Sequence, residues 1–320
     1  MKDVPFFIVK GFLESGKTSL IRETLMDPEF NDGGTNLVIV CEEGEEEYDP
    51  ILFKKLNTDV ITLEAPEELN ADLLERCKKQ YNPDRVFVEF NGTWTVQMLT
   101  GVKLPKGWFM AQMLSVVDFT TFDNYWNNMR AVMGEILKFS DTVIFNRCTA
   151  DTDRGKIRRI VKGLNRKAQI MYEALPGVEL PDEKDECVFD LSKDPIEIPD
   201  DDFGVWYMDA LDRKDRYNGR TLHFKGLVYK DRKSPKGTFI PGRMAMACCA
   251  NDMAFVGFIC KVKPEMEPLV QFNPKERRWV EVVAKVGYEY RTEYGSEGPV
   301  LTAESVKASS APANEVVYFS

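Results

Sequence analysis

Along the first 175 residues, apolar runs of strand length alternate with stretches in which apolar residues recur every three or four positions. The runs are Val4–Val9, Leu37–Val40, Val60–Leu63, Val86–Phe90, Leu114–Val117, Thr142–Phe145 and Ala168–Tyr172. Their near-continuous apolar character suits strands covered on both faces, as in a parallel sheet. Between them, Lys17–Met26, Asn70–Tyr81, Phe122–Phe139 and Asp153–Leu164 carry helical spacing. The alternation predicts an α/β domain, a mostly parallel sheet with crossover helices.

Beyond Asp202 the pattern changes to five short strand-like runs, Thr221–Tyr229, Phe239–Cys249, Ala254–Val262, Arg278–Tyr290 and Val316–Phe319, separated by turn-rich segments. They predict a small all-β barrel of OB-like size. The intervening stretch Glu179–Asp202 holds eleven Asp and Glu against two Lys, with Pro181, Pro195 and Pro199. Such a composition buries little apolar surface and reads as a solvated linker. The expected organisation is an α/β domain at residues 1–177, an acidic linker at 178–204 and a β-rich domain at 205–320.

Charge and composition narrow the function. Across 320 residues, 42 basic against 52 acidic side chains leave a net charge of −10. That balance repels phosphate backbones and argues against a nucleic-acid partner, in spite of the local cluster Lys230, Arg232, Lys233 and Lys236. The N-terminal apolar run is far short of the ~20 residues that cross a bilayer, so no membrane insertion and a cytoplasmic location are expected. Seven cysteines are read as reduced thiols or metal ligands, and the single His223 excludes a His-rich metal centre.

One motif carries chemistry directly. Gly11-Phe-Leu-Glu14-Ser15-Gly16-Lys17-Thr18 has the G-x-x-x-x-G-K-[ST] spacing and lies between the first strand and the first helix, the context of a phosphate-binding loop. Its glycines let successive N–H groups curl around a β-phosphate, and the helix that follows, through Ser19, adds its N-terminal dipole. Lys17 is expected between the β- and γ-phosphates and the Thr18 hydroxyl on Mg²⁺. Glu89 ends an apolar strand, where its carboxylate emerges at the ligand-binding edge of such a sheet, and suits the Mg²⁺-binding role. Gly92, three residues on, allows a backbone N–H close to the γ-phosphate. The acidic loop after Val40 offers Glu42 or Glu43 to the metal or to the attacking water.

Taken in order, GFLESGKTSL, VIVCEEGEE, VFVEFNG, SVVDFTTF and DTVIFNRC resemble the CobW-type P-loop GTPases, relatives of the UreG and HypB metallochaperones. The resemblance covers about residues 1–175. It implies a P-loop NTPase fold and Mg²⁺-dependent hydrolysis of GTP, with ATP as the alternative. It further implies metal-ion delivery to a protein client and a base loop at Asn146–Thr149 in which Asn146 and Arg147 contact the nucleotide. The family's cysteine metal motif would fall at Thr62–Glu68, where this chain reads TLEAPEE. Arg147 replaces the family's lysine, and Thr149 replaces the aspartate that accepts from guanine, so Asp151 or Asp153 would have to supply that acceptor.

Residues 215–290 resemble an uncharacterised OB-like domain of bacterial proteins associated with permeases, marked by R-x-x-x-x-C-C-x-x-D. This implies a metal or transport connection, with a metalloprotein or a permease as the client. Cys248, Cys249 and Asp252 form the candidate Zn²⁺ site, Cys260 being available to complete a tetrahedron. Adjacent strand residues point to opposite faces, so a shared ion needs a turn there. Core packing and redox chemistry stand as the other readings of this pair. For the whole chain, the competing reading is a nucleotide-binding regulator with negligible turnover.

Overall fold

The seven apolar runs come together in a computed structural model as a single parallel sheet. The structure describes residues 2–42, 44, 46, 48–95, 101–180, 187–230, 234–248, 252–274, 276–292 and 295–319. The strands are β1 (Val4–Gly11), β2 (Asn36–Val40), β3 (Thr58–Thr62), β4 (Arg85–Asn91), β5 (Trp108–Asp118), β6 (Thr142–Cys148) and β7 (Gln169–Ala174), in the spatial order β3-β2-β4-β1-β5-β6-β7. All of their pairings are parallel.

Both faces of this sheet are covered, which is why its strands lack a polar side. Phe6, Ile8, Leu37, Ile39, Val86 and Val88 bury one face, with Leu74 and Cys77 from helix α3 (Ala71–Tyr81). Val9, Val38, Val40, Phe87 and Val116 bury the other, with Ile21 and Leu25 from α1 (Lys17–Met26) and Phe53 from α2 (Pro50–Lys55). Each fully buried aliphatic or aromatic side chain contributes ~1.5–3 kcal/mol. The stretch expected as one helix over Phe122–Phe139 is two, α4 (Phe119–Asn128) and α5 (Arg130–Lys138), broken at Met129 with φ −131°. Helix α6 (Arg154–Leu164) follows β6.

The chain divides into two compact units, Met1–Arg154 with Leu164–Asp182, and Gly155–Gly163 with Glu183–Ser320. In the second unit β9 (Thr221–Tyr229), β10 (Thr238–Ala245), β12 (Cys260–Lys261), β13 (Trp279–Arg291) and β14 (Ser296–Ser309) pair in a ring. Antiparallel pairings link β9 to β10, β10 to β12, β14 to β13 and β13 back to β9, and β12 runs parallel to β14. Short strands β8 (Ile196–Glu197), β11 (Ala254–Gly257) and β15 (Val316–Val317) add to its edges. Helix α7 (Phe203–Asp212) lies against the ring and buries Phe203 and Trp206 with Phe224, Val282 and Leu301, and α8 (Lys214–Tyr217) follows it.

The acidic stretch differs from the solvated linker expected of it. Phe189, Ile196, Ile198 and Phe203 belong to the core of the second unit. One of its charges is neutralised from within the unit, for Asp200 Oδ1 meets the fully buried Arg243 at 2.5 Å and Asp200 Oδ2 lies 3.6 Å from Lys225. The composition was acidic enough for a linker, but alternation with Phe and Ile gives it an inner face.

Candidate functional site: a phosphate cradle and its carboxylates

Gly11 ends β1 and the chain turns back over Phe12–Gly16 before α1 begins. Glu14 and Gly16 both have positive φ, 60° and 99°, which curls the loop. A Cβ on Gly92 would lie 2.3 Å from the Gly11 carbonyl oxygen, and one on Gly11 would lie 2.3 Å from that of Val116. Both positions therefore require glycine. Phe12 stacks on Tyr125 at 4.2 Å, fixing the loop to α4. The Ser15 hydroxyl is buried and has no hydrogen-bond partner.

Lys17 is 3% exposed, and its ammonium donates to the Phe12 carbonyl and to Glu42 Oε2, each at 2.9 Å. Thr18 Oγ1 lies 3.0 and 3.1 Å from the two Glu89 oxygens. Glu89 is 4% exposed, and burial holds its carboxyl above the usual carboxylate range, opposed by a hydrogen bond from the Tyr48 hydroxyl. Burial also pushes the Tyr48 hydroxyl up, so Tyr48 stays protonated and donates. Ser19 Oγ donates to Glu46 Oε2 at 2.5 Å. A pocket of about 400 Å³ opens over Gly16–Ser19, with Gly44, Glu46, Glu89 and Arg147 in its walls.

This donor set fits the implied ligands. A buried carboxylate beside a threonine hydroxyl offers hard oxygens to Mg²⁺, and a cation there would relieve the desolvation that raises the Glu89 carboxyl. A buried ammonium at a helix N-terminus offers charge to phosphate oxygens, and Glu42 is the group those oxygens would replace.

On the adjoining side, Asn146 Nδ2 donates to the Ser15 carbonyl at 2.7 Å, leaving its Oδ1 buried without a partner. Arg147, at φ 52°, donates to the Glu14 carbonyl at 2.9 Å and to Asp118 Oδ2 at 2.5 Å. Asp118 also caps α4 through the Thr120 N–H. Thr149 lies in a turn, its N–H donating to Thr152 Oγ1 at 2.9 Å.

Sequence reasoning thus named Gly11, Glu14, Ser15, Gly16, Lys17, Thr18, Ser19, Glu42, Glu89, Gly92, Asn146 and Arg147, and the fold brings them around one loop. It passed over Tyr48, Glu46 and Asp118. Tyr48 is the one aromatic in an otherwise acidic loop, a signal that was present but unweighted. Of the cysteine site, Cys248 and Asp252 are in direct contact through Sγ and Oδ2, while Cys249 lies outside the described residues. Cys260 is fully buried on β12. Among the described residues no group of three His, Cys, Asp or Glu is placed to hold a metal ion.

Residues 5–172, more than half of the chain, match the family described as CobW/HypB/UreG, nucleotide-binding domain. The chain belongs to the CobW/HypB/UreG family. The loop from Gly11 to Thr18 lies within that matched nucleotide-binding domain. Residues 182–319 match a DUF1980 C-terminal domain. No curated protein matches the chain. Among solved structures, the hydrogenase maturation factor HypB from Archaeoglobus fulgidus is 18% identical, with 55% of this chain and 83% of that one covered and a TM-score of 0.41. A zinc-bound triple mutant of the YjiA GTPase is 17% identical, covering 75% and 85% with a TM-score of 0.43. HypB from Helicobacter pylori in complex with nickel is 13% identical, covering 54% and 80% with a TM-score of 0.37. Among the described residues of this CobW/HypB/UreG chain, no helix is long and apolar enough to cross a membrane.

Proposed function

We propose that this chain binds GTP with Mg²⁺ and hydrolyses it, and that the nucleotide state governs the handling of a metal ion for a protein client. The observation that supports this best is the convergence of Lys17, Thr18, Glu42 and Glu89 over one glycine-lined loop at the carboxyl edge of a parallel sheet. Mg²⁺ supplies charge neutralisation at the phosphates when it is bound. Thr18 and Glu89 would hold it, Lys17 would hold the β- and γ-phosphate oxygens, and the Gly92 N–H would meet the terminal phosphate. Glu42, once released from Lys17, is the carboxylate that would orient the attacking water.

The segment Thr62–Glu68 holds no thiol, and Glu68 Oε1 instead accepts from the Glu64 and Ala65 N–H groups. A metal cargo is accordingly assigned to the second unit, with Cys248, Cys249 and Asp252 as its ligands for Zn²⁺. The ring order β9-β10-β12-β14-β13, closed between β13 and β9, supports reading that unit as an OB-type barrel.

The Lys17–Glu42 pair favours a second reading, a regulator that binds nucleotide and turns it over negligibly. Mass spectrometry of nucleotide and elemental analysis of metal on untagged protein, followed by single-turnover phosphate release, separate the two. Lys17→Ala is expected to weaken triphosphate binding more than about tenfold, or ~1.4 kcal/mol. Binding within that factor of the parent overturns the assignment.

A further inference from the structure

We propose that Glu173 is the acceptor that reads the guanine base, in the role Thr149 cannot fill. The inference rests on the nucleotide-binding reading above and specifies its base. An open cleft of about 640 Å³ adjoins the phosphate pocket and shares Gly16, Ser19 and Arg147 with it, so a ligand whose phosphates lie over Gly16–Thr18 continues into this cleft. Asn146, Glu173 and Leu175 line it further out, and Thr149 does not.

Glu173 lies near the carboxyl end of β7, beside the part of β6 that carries Asn146, with Cys148 paired to Ala174. Among the described residues its carboxylate makes no hydrogen bond or ion pair. Arg147, the nearest basic wall of the cleft, is already engaged by Asp118 and the Glu14 carbonyl. Glu23, also in the wall, is a second carboxylate and repels it. Glu173 is exposed to the cleft, and an unpaired acceptor held beside a like charge gains from a ligand that brings donors.

The base that brings them is guanine. Its N1–H and N2–H are adjacent donors and match the two oxygens of one carboxylate, whereas adenine presents the N1 lone pair on the same edge and meets the carboxylate with repulsion. Hypoxanthine lacks the 2-amino donor. Xanthine carries a carbonyl there, which a carboxylate rejects and a carboxamide accepts, because a carboxamide offers one donor and one acceptor.

The test is equilibrium binding of GDP, IDP, ADP and XDP to the full chain and to Glu173→Gln, Glu173→Ala and Thr149→Val. The diphosphates keep turnover out of the reading. The parent is expected to prefer GDP to both IDP and ADP by about tenfold or more. Glu173→Gln should lose GDP by about tenfold and gain XDP by a similar factor, and Glu173→Ala should lose GDP without that gain. ADP affinity should not fall in either Glu173 variant, since both remove the repulsion at adenine N1, and Thr149→Val should bind as the parent does. The gain of XDP is a result that misfolding cannot produce. If Glu173→Gln binds GDP and XDP as the parent does, the role of Glu173 is refuted while nucleotide binding stands. If the parent binds none of the four diphosphates, the nucleotide-binding reading itself fails.

Discussion

At the scale of single residues, the least expected feature is Lys10, fully buried in β1 with its ammonium unpartnered and 5.9 Å above the Phe139 ring. Burial lowers its pKa from 10.5 to about 7, against the pull of Asp141 and Glu135. The unfolded chain therefore holds the proton between about pH 7 and 10.5 and the folded chain does not, so folding stability rises with pH across that window. Lys10→Met should remove the rise and stabilise the protein at pH 7 by ~1–3 kcal/mol, since it deletes an unpaired buried amine and keeps the apolar stem. Denaturant unfolding at pH 6.5, 8 and 9.5 checks both; a parent stability flat across those values would remove the basis of the prediction. Little of this was legible in the sequence, where Lys10 reads as the polar end of a strand. The turn from β1 into α1, by contrast, is legible in the sequence, because Gly11 and Gly16 answer a backbone geometry that local sequence specifies.

At the scale of elements, the segment after β2 occupies both halves of the cradle, Glu42 on Lys17 and Tyr48 on Glu89. Tyr48 is anchored by an edge contact with Phe53 at 4.9 Å, so its hydroxyl is delivered to Glu89 by packing on α2. Tyr48→Phe keeps that packing and deletes the donor. Under the proposed function, it should lower the Mg²⁺ concentration for half-maximal triphosphate binding about fivefold, the equivalent of ~1 kcal/mol, and leave Mg²⁺-free diphosphate binding unchanged. An unchanged or increased Mg²⁺ requirement in titration calorimetry would count against Tyr48 as a competitor for Glu89. Elements with a strong period were legible, and all seven strands of the parallel sheet stand where their apolar runs predicted. Strand β14 was not, because Gly298, Ala303, Ser305 and Ala308 dilute its apolar alternation, and its fourteen residues are held by pairing along the whole length of β13. Glu173 escaped notice for a different reason: it is one acidic residue at a strand end, and only the fold sets it in the cleft beside Asn146.

For the molecule as a whole, each unit has its own core, and the second is organised around a buried charge. Arg243 is fully buried, donates to the Lys225 carbonyl at 3.0 Å and the Asn314 carbonyl at 3.2 Å, and lies 4.9 Å over the Trp279 ring. With Asp200 it ties the acidic stretch to the ring of strands. Arg243→Met strands that carboxylate and two carbonyls, and should destabilise the second unit by ~2–4 kcal/mol. Nucleotide affinity, a property of the first unit in the proposed function, should be unchanged. Calorimetry paired with nucleotide titration tests this, and an unshifted unfolding transition would show that the Arg243 cluster contributes little. Charge counting does not show that Phe189, Ile196 and Ile198 of the acidic stretch pack in the core, nor that Asp200 meets a basic partner more than forty residues away.

The enclosure of Lys10 has a chemical side as well. A neutral amine is a nucleophile, so above about pH 7 what shields this one from an acylating reagent is the protein around it rather than its proton. Its acylation should therefore follow the opening of β1, next to Gly11, where surface lysines react at rates that ignore folding. Lys10 is thereby a natural tag for the breathing of the strand that bears the phosphate loop, readable by mass spectrometry of the labelled peptide, and a bound nucleotide should slow its modification.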